Sequence, residues 1–467
     1  MKKIILLIAS ILFSTLFYQK HFGLNIFLFS LITTGILVFF YPKKRKQKQI
    51  IIIASIYIIT AFQVFLYHNT LSIITNLISF FLFVGSISEK KASIYIKFFN
   101  GFYSTIVSTF ALYFERVENE IEQVKKQEIN YMHWLKIIGI PIIIITIFIA
   151  LYRNANPVFD SIISKIDFSF INVQWLLFTG LGYYLLNNIT NPLTINPTTN
   201  KDLNTSDNLN KKRLKEVSEE KLKSENQLGL ILMVLLNILL VFLLITDTLF
   251  LTQTASESKI SAVELSIQVH KGINSLIISI IFAIILIIYF FRGNLNFYKK
   301  NKALITATFI WIILNSILVI VTVFKNYQYV YTFGLTYKRI GVFIYLFLSF
   351  LGLVYTFIKV KNIKNIVFLF RKNIEIAFAI LVITSFINWD DFIAKYNLSK
   401  VEKRHLDVTY LLKLPNTANT LKQYKDNNTN YQVEKFSTEI EKKYQKHQMG
   451  LTNNSWQEIV FENLNNQ

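Results

Sequence analysis

Cysteine is absent from this chain of 467 residues. Its absence excludes disulfide bonds, thiolate catalysis, cysteine-ligated zinc and iron–sulfur clusters together. Histidine is scarce and shows neither H-x-x-x-H nor HExxH spacing; the six residues are His21, His68, His133, His270, His405 and His447. Haem proteins and membrane oxygenases use several convergent histidine ligands. The sequence therefore disfavours both classes, and we predict no metal and no cofactor.

Sequence signatures of catalysis are also lacking. We find no phosphate-binding glycine loop, no nucleophile elbow and no ATPase motif. The adjacent acids Asp390 and Asp391 are better explained as the start of a helix than as an acid–base pair. The sequence therefore favours a protein that is not an enzyme, with an enzyme acting on a lipid-linked substrate as an alternative.

Apolar runs dominate what is present, since 53% of the residues are hydrophobic. Runs of about 15–23 residues match the ~30 Å hydrocarbon core of a bilayer at ~1.5 Å rise per residue. We predict an all-α fold, a polytopic transmembrane helical bundle of about 11 spans with a small helical extracytoplasmic C-terminal tail. The predicted spans are about 4–19, 22–41, 50–67, 71–88, 137–152, 173–189, 228–250, 273–291, 303–324, 340–358 and 373–388.

The charge is strongly basic, with 49 Lys and Arg against 28 Asp and Glu and a formal net charge of +21. The cations gather in alternate connections between the apolar runs, such as PKKRK (42–46) and RGNLNFYKKNK (292–302). By the positive-inside rule these connections and the N-terminus are cytoplasmic, and the C-terminus is extracytoplasmic. We predict a multi-pass protein of the bacterial inner membrane that contacts anionic lipid head groups and no nucleic acid.

Four regions follow from this pattern: an N-terminal bundle of six spans (1–190), a flexible cytoplasmic linker (191–227), a C-terminal bundle of five spans (228–388) and an extracytoplasmic helical tail (389–467). Within the first region, 89–136 is predicted to be a cytoplasmic amphipathic and charged segment. Its stretch FFNGFYSTIVSTFALYF (98–114) is interpreted as an interfacial helix. A crossing there would invert every later loop.

Polar residues at the predicted external ends of the spans are the candidate ligand or ion-pair site. The set is Arg153, Asn154, Asn156, Asp247, Glu264, His270, Lys271, Lys338 and Arg339. Asp247 is the most deeply embedded, and a charge at mid-bilayer costs about 2.5–3.5 kcal/mol. Lys338 and Arg339 are its predicted partners, and snorkelling of these charges to the interface is the alternative.

Four motifs occur in an order that resembles a known family. They are RNANPVF (153–159), SAVELSIQVHKGINSLIISIIFAIILIIYFFRGN (261–294), YTFGLTYKRIGVF (331–343) and NLSKVEKRHLDVTYLLKL (397–414). Together they resemble bacterial multi-pass membrane proteins catalogued as a domain of unknown function, in a Bacteroidetes-like branch. The resemblance covers most of 130–414 and implies an inner-membrane protein with an extracytoplasmic tail, but no activity.

Three hypotheses of function remain. The first is a protein that binds or moves a small solute or lipid through an outward-facing polar pocket. The second is a membrane sensor or scaffold whose tail contacts other proteins of the cell envelope. The third is the membrane-embedded enzyme named above.

Overall fold

Every regular element in the described part of the chain is a helix. The structure is a computed structural model that describes residues 1–122, 131–164, 172–256, 262–401, 405–428 and 434–465. In the N-terminal half the helices are α1 Lys2–Phe17, α2 Leu24–Phe40, α3 Lys48–Tyr67, α4 Thr70–Ser88, α5 Ile94–Glu122, α6 Tyr131–Ala155, α7 Pro157–Ser164 and α8 Val173–Ile189. The connection between the halves contains α9 Asn196–Asn204.

The second half continues with α10 Glu219–Ser256, α11 Ala262–Phe290, α12 Lys302–Phe333, α13 Tyr337–Lys361 and α14 Ile366–Ser385. The tail contains α15 Trp389–Lys400, α16 Val408–Lys413, α17 Ala418–Asn427, α18 Ser437–Asn453 and α19 Phe461–Asn465. This architecture confirms the all-α prediction.

Several of these helices have the length and composition of membrane spans. Among the described residues, five helices qualify fully: α3, α4, α10 up to Leu249, α12 and α13. Shorter apolar helices are Leu24–Phe40, Ile144–Ala155 and Leu276–Phe290. On α4 the buried residues include Ser72, Thr75 and Ser79, whereas Ile74 and Leu77 are exposed. In a helical bundle surrounded by lipid, small polar residues typically lie where helices contact each other, and apolar residues lie on the surface that faces the lipid.

The basic connections meet at one end of the bundle, which we call the basic end. The contacts that join them are Lys2 Nζ to Thr190 O (3.1 Å), Ser93 N to Asp202 Oδ2 (2.8 Å), Lys359 Nζ to Phe291 O (2.8 Å) and Lys364 Nζ to Asn208 Oδ1 (2.6 Å). The loops before residue 94 and after residue 189 therefore lie at the same end. The chain between them leaves this end and returns to it.

Helix α5 packs lengthwise against α4 and α8. Gly85 of α4 and Gly101 of α5 cross so closely that a Cβ on Gly101 would lie 1.8 Å from the carbonyl oxygen of Phe81. Ser108 Oγ donates to the carbonyl of Asn188 on α8 at 2.9 Å. The outward face carries exposed apolar side chains, namely Phe99, Phe102, Ile106 and Phe110. These contacts favour a helix inside the bundle over the interfacial position that the sequence favoured for 98–114.

The connection 191–227, predicted to be a flexible linker, makes specific contacts with both halves. Asp202 on α9 is buried and forms an ion pair with Arg371 of α14 at 3.0 Å. It also accepts from Ser93 Oγ at 2.9 Å and Tyr95 Oη at 3.0 Å. Burial alone would raise the pKa of Asp202, but hydrogen bonds from Ser93, Arg371 and Tyr95 lower it below its usual value. The carboxylate therefore stays ionised and ties the two halves together at the basic end.

The tail packs on the opposite end of the bundle, which we call the tail end. Its helices share an apolar core with the α12–α13 junction, in which Leu335 and Ile340 contact the cluster of Ile393 and Leu411. Asn397 pairs with the main chain of Leu335, accepting from its N–H at 2.6 Å and donating to its carbonyl at 2.9 Å. The stretch 329–341 is therefore a docking platform for the tail.

The last part of the tail caps α2. The first N–H groups of a helix have no partner within the helix. Here Leu24 N donates to Ile459 O and Asn25 N donates to Gln457 O, both at 2.9 Å. Gln457 Nε2 also donates to Thr15 O of α1 at 3.1 Å. The segment 457–459 thus supplies acceptors that α2 needs.

Gly23 allows this close approach, and its substitution is a direct test. A Cβ at this position would lie 2.5 Å from the carbonyl oxygen of Glu458. We expect Gly23→Ala to destabilise the docked tail by about 1–3 kcal/mol, as overpacking does in other cores. Hydrogen exchange at the amides of Leu24 and Asn25 should become faster.

Gly35 provides a matched control, because it lies in the same helix and nothing would lie within 4 Å of its Cβ. Gly35→Ala should leave this exchange unchanged. Equal exchange in the two variants would contradict the described contact.

Candidate functional site

The structure gives Asp247 a different partner from the one predicted. Its carboxylate lies 2.7 Å from Lys325 Nζ of α12, and both side chains are about one fifth exposed. The predicted pairing with Lys338 or Arg339 is therefore wrong. Helix α12 continues without a break to Phe333, so Lys325 lies within this helix beside Asp247. Lys338 and Arg339 lie at the start of α13, after the turn that follows α12. The ion pair links α10 to α12 within the C-terminal half.

Arg339 completes the end of α12. Its guanidinium donates to the carbonyls of Phe333 (2.8 Å) and Gly334 and lies over the Tyr329 ring, 4.0 Å from the centroid. The last carbonyls of a helix lack partners within the helix, so this cation has a structural role. Lys338 is exposed beside it.

The remaining predicted residues lie elsewhere. Arg153 pairs with Asp160 at 2.6 Å, and both side chains are nearly half exposed, so the pair contributes little to stability. Asn156 caps α7 by accepting from Val158 N at 2.9 Å, and Asn154 is exposed. The side chains of Glu264, His270 and Lys271 lie outside the described residues. Among the described contacts, none joins two members of the predicted set.

A cavity of about 450 Å³ lies between the tail and the loops of the N-terminal half at the tail end. We call it the histidine cavity, because three of the six histidines line it. His21 comes from the α1–α2 loop, His68 from the α3–α4 loop and His447 from α18. Its other charged residues are Lys443, Lys446, Glu458 and Glu462.

Local structure fixes His68 at the wall. It is the C-cap of α3, with a left-handed backbone (φ 41°) and its N–H bonded to Val64 O at 2.9 Å. Histidine, asparagine and aspartate are the side-chain-bearing residues that tolerate this conformation best. His68 is exposed. Desolvation by neighbouring protein atoms, followed by the charge of His21, lowers its pKa, while Glu462 acts in the opposite direction, and this favours the neutral ring.

The Glu458 carboxylate links the α1–α2 loop to the tail at the wall of the cavity. Its carboxylate accepts from His21 N at 2.7 Å and from Ser455 N at 3.0 Å, and Lys20 Nζ lies 4.0 Å away. Desolvation opposes ionisation, but the hydrogen bonds from His21 and Ser455 and the charge of Lys20 lower the pKa of Glu458 to about 2. The group is ionised well below neutral pH and is fully occupied by protein donors.

Some ionisable side chains of the cavity already form hydrogen bonds with protein groups, and others do not. Glu462 contacts His447 Nε2 at 2.8 Å, and Lys443 Nζ donates to the carbonyls of Leu412 (3.1 Å) and Leu414 (2.6 Å). No described hydrogen bond or ion pair engages the rings of His21 and His68 or the ammonium of Lys446. Among the histidines, lysines and glutamates of the lining, those without a described side-chain partner are therefore donors, and all three residues are exposed.

A metal does not fit this arrangement. Despite three histidines and two glutamates in the lining, no group of three or more His, Asp or Glu in the described residues has the arrangement of a metal site. Glu458 is also saturated by donors from the protein. The cavity suits an anion better than a cation.

Sequence reasoning missed these histidines because it looked for short spacings. His21 and Glu458, for example, are separated by 437 positions. A usable signal did exist, since the predicted topology places His21, His68 and His447 on the same side of the membrane. Listing the histidines that lie in loops on that side would have placed these three residues together.

Comparison with known proteins identifies the family. The family model described as a domain of unknown function (DUF4153) matches residues 4–421. The chain belongs to this family. No curated protein and no solved structure matches the chain. The DUF4153 match covers both halves and reaches α17, whereas His447, Glu458 and Glu462 lie beyond its end. The family description states no activity.

Removing the Glu458 carboxylate should loosen the tail. Glu458→Ala leaves the N–H groups of His21 and Ser455 without their acceptor, and an unsatisfied buried donor costs about 1–3 kcal/mol. We expect a lower thermal unfolding midpoint in detergent. Glu439→Ala, at an exposed position of α18, is the control and should behave as wild type. Equal midpoints for both variants would contradict the role of Glu458.

Proposed function

We propose that this protein binds an anion-bearing ligand in the histidine cavity, on the extracytoplasmic side of a bacterial inner membrane. The ligand class is a carboxylate or phosphate, carried by a small solute or by a lipid head group. The observation that supports the proposal is a set of three exposed donors, His21, His68 and Lys446, whose side chains have no described protein partner, around a cavity whose acids are already engaged.

The proposal includes eleven crossings with the basic end in the cytoplasm. The clustering of cations at that end supports this orientation by the positive-inside rule. Since residues 93 and 190 lie at the same end, the chain crosses an even number of times between them. Helix α8 makes one crossing. The contacts of α5 with α4 and α8 favour α5 over 137–152 for the other.

Sulfate is a suitable probe, because its charge is constant near neutral pH. A ligand at 100 times its dissociation constant stabilises the native state by about 2.7 kcal/mol. We expect sulfate to raise the unfolding midpoint of wild type and to have a much weaker effect on His68→Asn. Asparagine tolerates the left-handed backbone at this cap, so the variant removes the imidazole without disrupting α3.

Two further arms of this experiment identify the source of the anion. Nanodiscs containing phosphatidylglycerol, compared with phosphatidylcholine, test a lipid head group, and sulfate in detergent tests a free solute. A midpoint that neither sulfate nor phosphatidylglycerol raises would contradict the proposal and favour the scaffold hypothesis. An equal rise in wild type and His68→Asn would place the anion elsewhere.

Binding should also depend on pH. The pKa of His68 is lowered below the ordinary histidine value of about 6.5. In the ligand-free protein this ring therefore carries little positive charge at pH values above about 6.5. An anion raises that pKa, so binding takes up a proton and affinity for sulfate should increase as pH falls from about 7.5 to 5.5. Titration calorimetry in two buffers of different ionisation enthalpy measures the proton uptake. The groups that face His68 are His21, His447, Lys443, Lys446, Glu458 and Glu462.

The matching variant is again His68→Asn, in which the proton uptake should fall. Unchanged uptake in that variant would assign the titration to another group, and affinity that decreases on acidification would contradict the proposed charge balance.

A further inference from the structure

A second cavity of about 220 Å³ adjoins the first within the tail. Asn416 and Glu462 line both cavities, so the two spaces share a wall. The other residues around the smaller cavity are Asn388, Asp391, Lys395, Asn419, Thr420 and Gln423. We call it the amide cavity, after its four carboxamide side chains.

The lining of the amide cavity consists of hydrogen-bonding side chains without an apolar residue. Asn419 and Gln423 lie one turn apart on α17, and no described hydrogen bond engages either side chain. Asn416 donates its Nδ2 to Tyr67 O at 3.1 Å, which positions its amide between the two cavities. Each amide offers both donors and an acceptor.

The amide cavity has little net charge of its own. Asp391 lies 2.8 Å from Lys395 Nζ and accepts from Thr420 Oγ1. The carboxylate and the ammonium therefore compensate each other. The second carboxylate of the lining, Glu462, contacts His447 Nε2, and the remaining groups are neutral amides and a hydroxyl. This lining suits a neutral ligand that donates and accepts hydrogen bonds at several adjacent atoms, as the hydroxyl groups of a sugar ring do.

We infer that the two cavities form one site for an acidic saccharide, which is a sugar bearing a carboxylate or phosphate. The anionic group lies in the histidine cavity near His21 and His68, and the ring lies in the amide cavity against Asn419 and Gln423. The shared residues Asn416 and Glu462 lie where the two parts of the ligand join. This inference rests on the proposed anion site and names the ligand class for it.

The test compares three probes on the full-length protein in detergent at about pH 6.5: glucuronate, acetate and glucose. Acetate carries the anion alone, glucose carries the ring alone and glucuronate carries both. Titration calorimetry should give wild type at least tenfold higher affinity for glucuronate than for acetate, with glucose weaker than glucuronate. Acetate has no ring, so it leaves the polar groups of the amide cavity without hydrogen-bond partners from the ligand. This difference accounts for the expected preference for glucuronate over acetate.

Variants assign the two parts of the ligand. Asn419→Ala/Gln423→Ala should reduce glucuronate affinity to that of acetate and leave acetate unchanged. His68→Asn should weaken glucuronate and acetate alike. Gln445→Ala, at an exposed position of α18 outside both linings, is the control and should bind as wild type.

The outcomes separate this inference from the proposed function. Equal affinities for glucuronate and acetate in wild type, both lost in His68→Asn, would overturn the saccharide class and leave the anion site intact. Absence of binding for all three probes, together with no response to sulfate, would overturn both. Glucose binding as tightly as glucuronate would overturn the joint site.

Discussion

The hydrogen bonds from Leu24 and Asn25 to the carbonyls of Ile459 and Gln457 are the constraint on which the site depends. The start of α2 needs acceptors, and a buried N–H group without one is costly. By supplying them, the tail brings Glu458 to the main chain of His21. The same docking places α18, with His447 and Lys446, opposite the α3–α4 loop that carries His68. The cavity is thus a consequence of how one helix terminus is capped.

The two halves of the protein are joined at both ends. At the basic end, Asp202 connects the inter-half segment to the loop before α5 and to Arg371 of α14. At the tail end, the tail contacts the α12–α13 junction through Asn397 and the N-terminal half through Asn416. The histidine cavity lies at the tail end, between the tail and the N-terminal half.

The sequence was sufficient for the helical fold, for the presence of several apolar helices long enough to cross a membrane and for the family, because these depend on local composition and on motifs. It was not sufficient for the site. Asp247 pairs with Lys325 because α12 is one uninterrupted helix, and Arg339 serves a helix end, which charge alone does not reveal. The grouping of His21, His68 and His447 depends on tertiary docking across most of the chain. The interfacial position predicted for 98–114 relied on polar residues that contact protein in the structure, since Ser108 Oγ donates to Asn188 of α8 and Asn100 Nδ2 donates to Thr199 of α9.

Cross-linking in the membrane tests the docking of the tail most directly, because the chain has no cysteine of its own. Leu24 N and Ile459 O are 2.9 Å apart, so cysteines at these two positions lie within reach of a short thiol-specific cross-linker. The double variant Leu24→Cys/Ile459→Cys should be cross-linked within the chain by a short bismaleimide, detected by peptide mass spectrometry. The control Leu24→Cys/Lys212→Cys, which pairs the tail end with the inter-half segment, should not be cross-linked. Cross-linking of neither pair, or of both pairs equally, would contradict the docked tail and with it the histidine cavity.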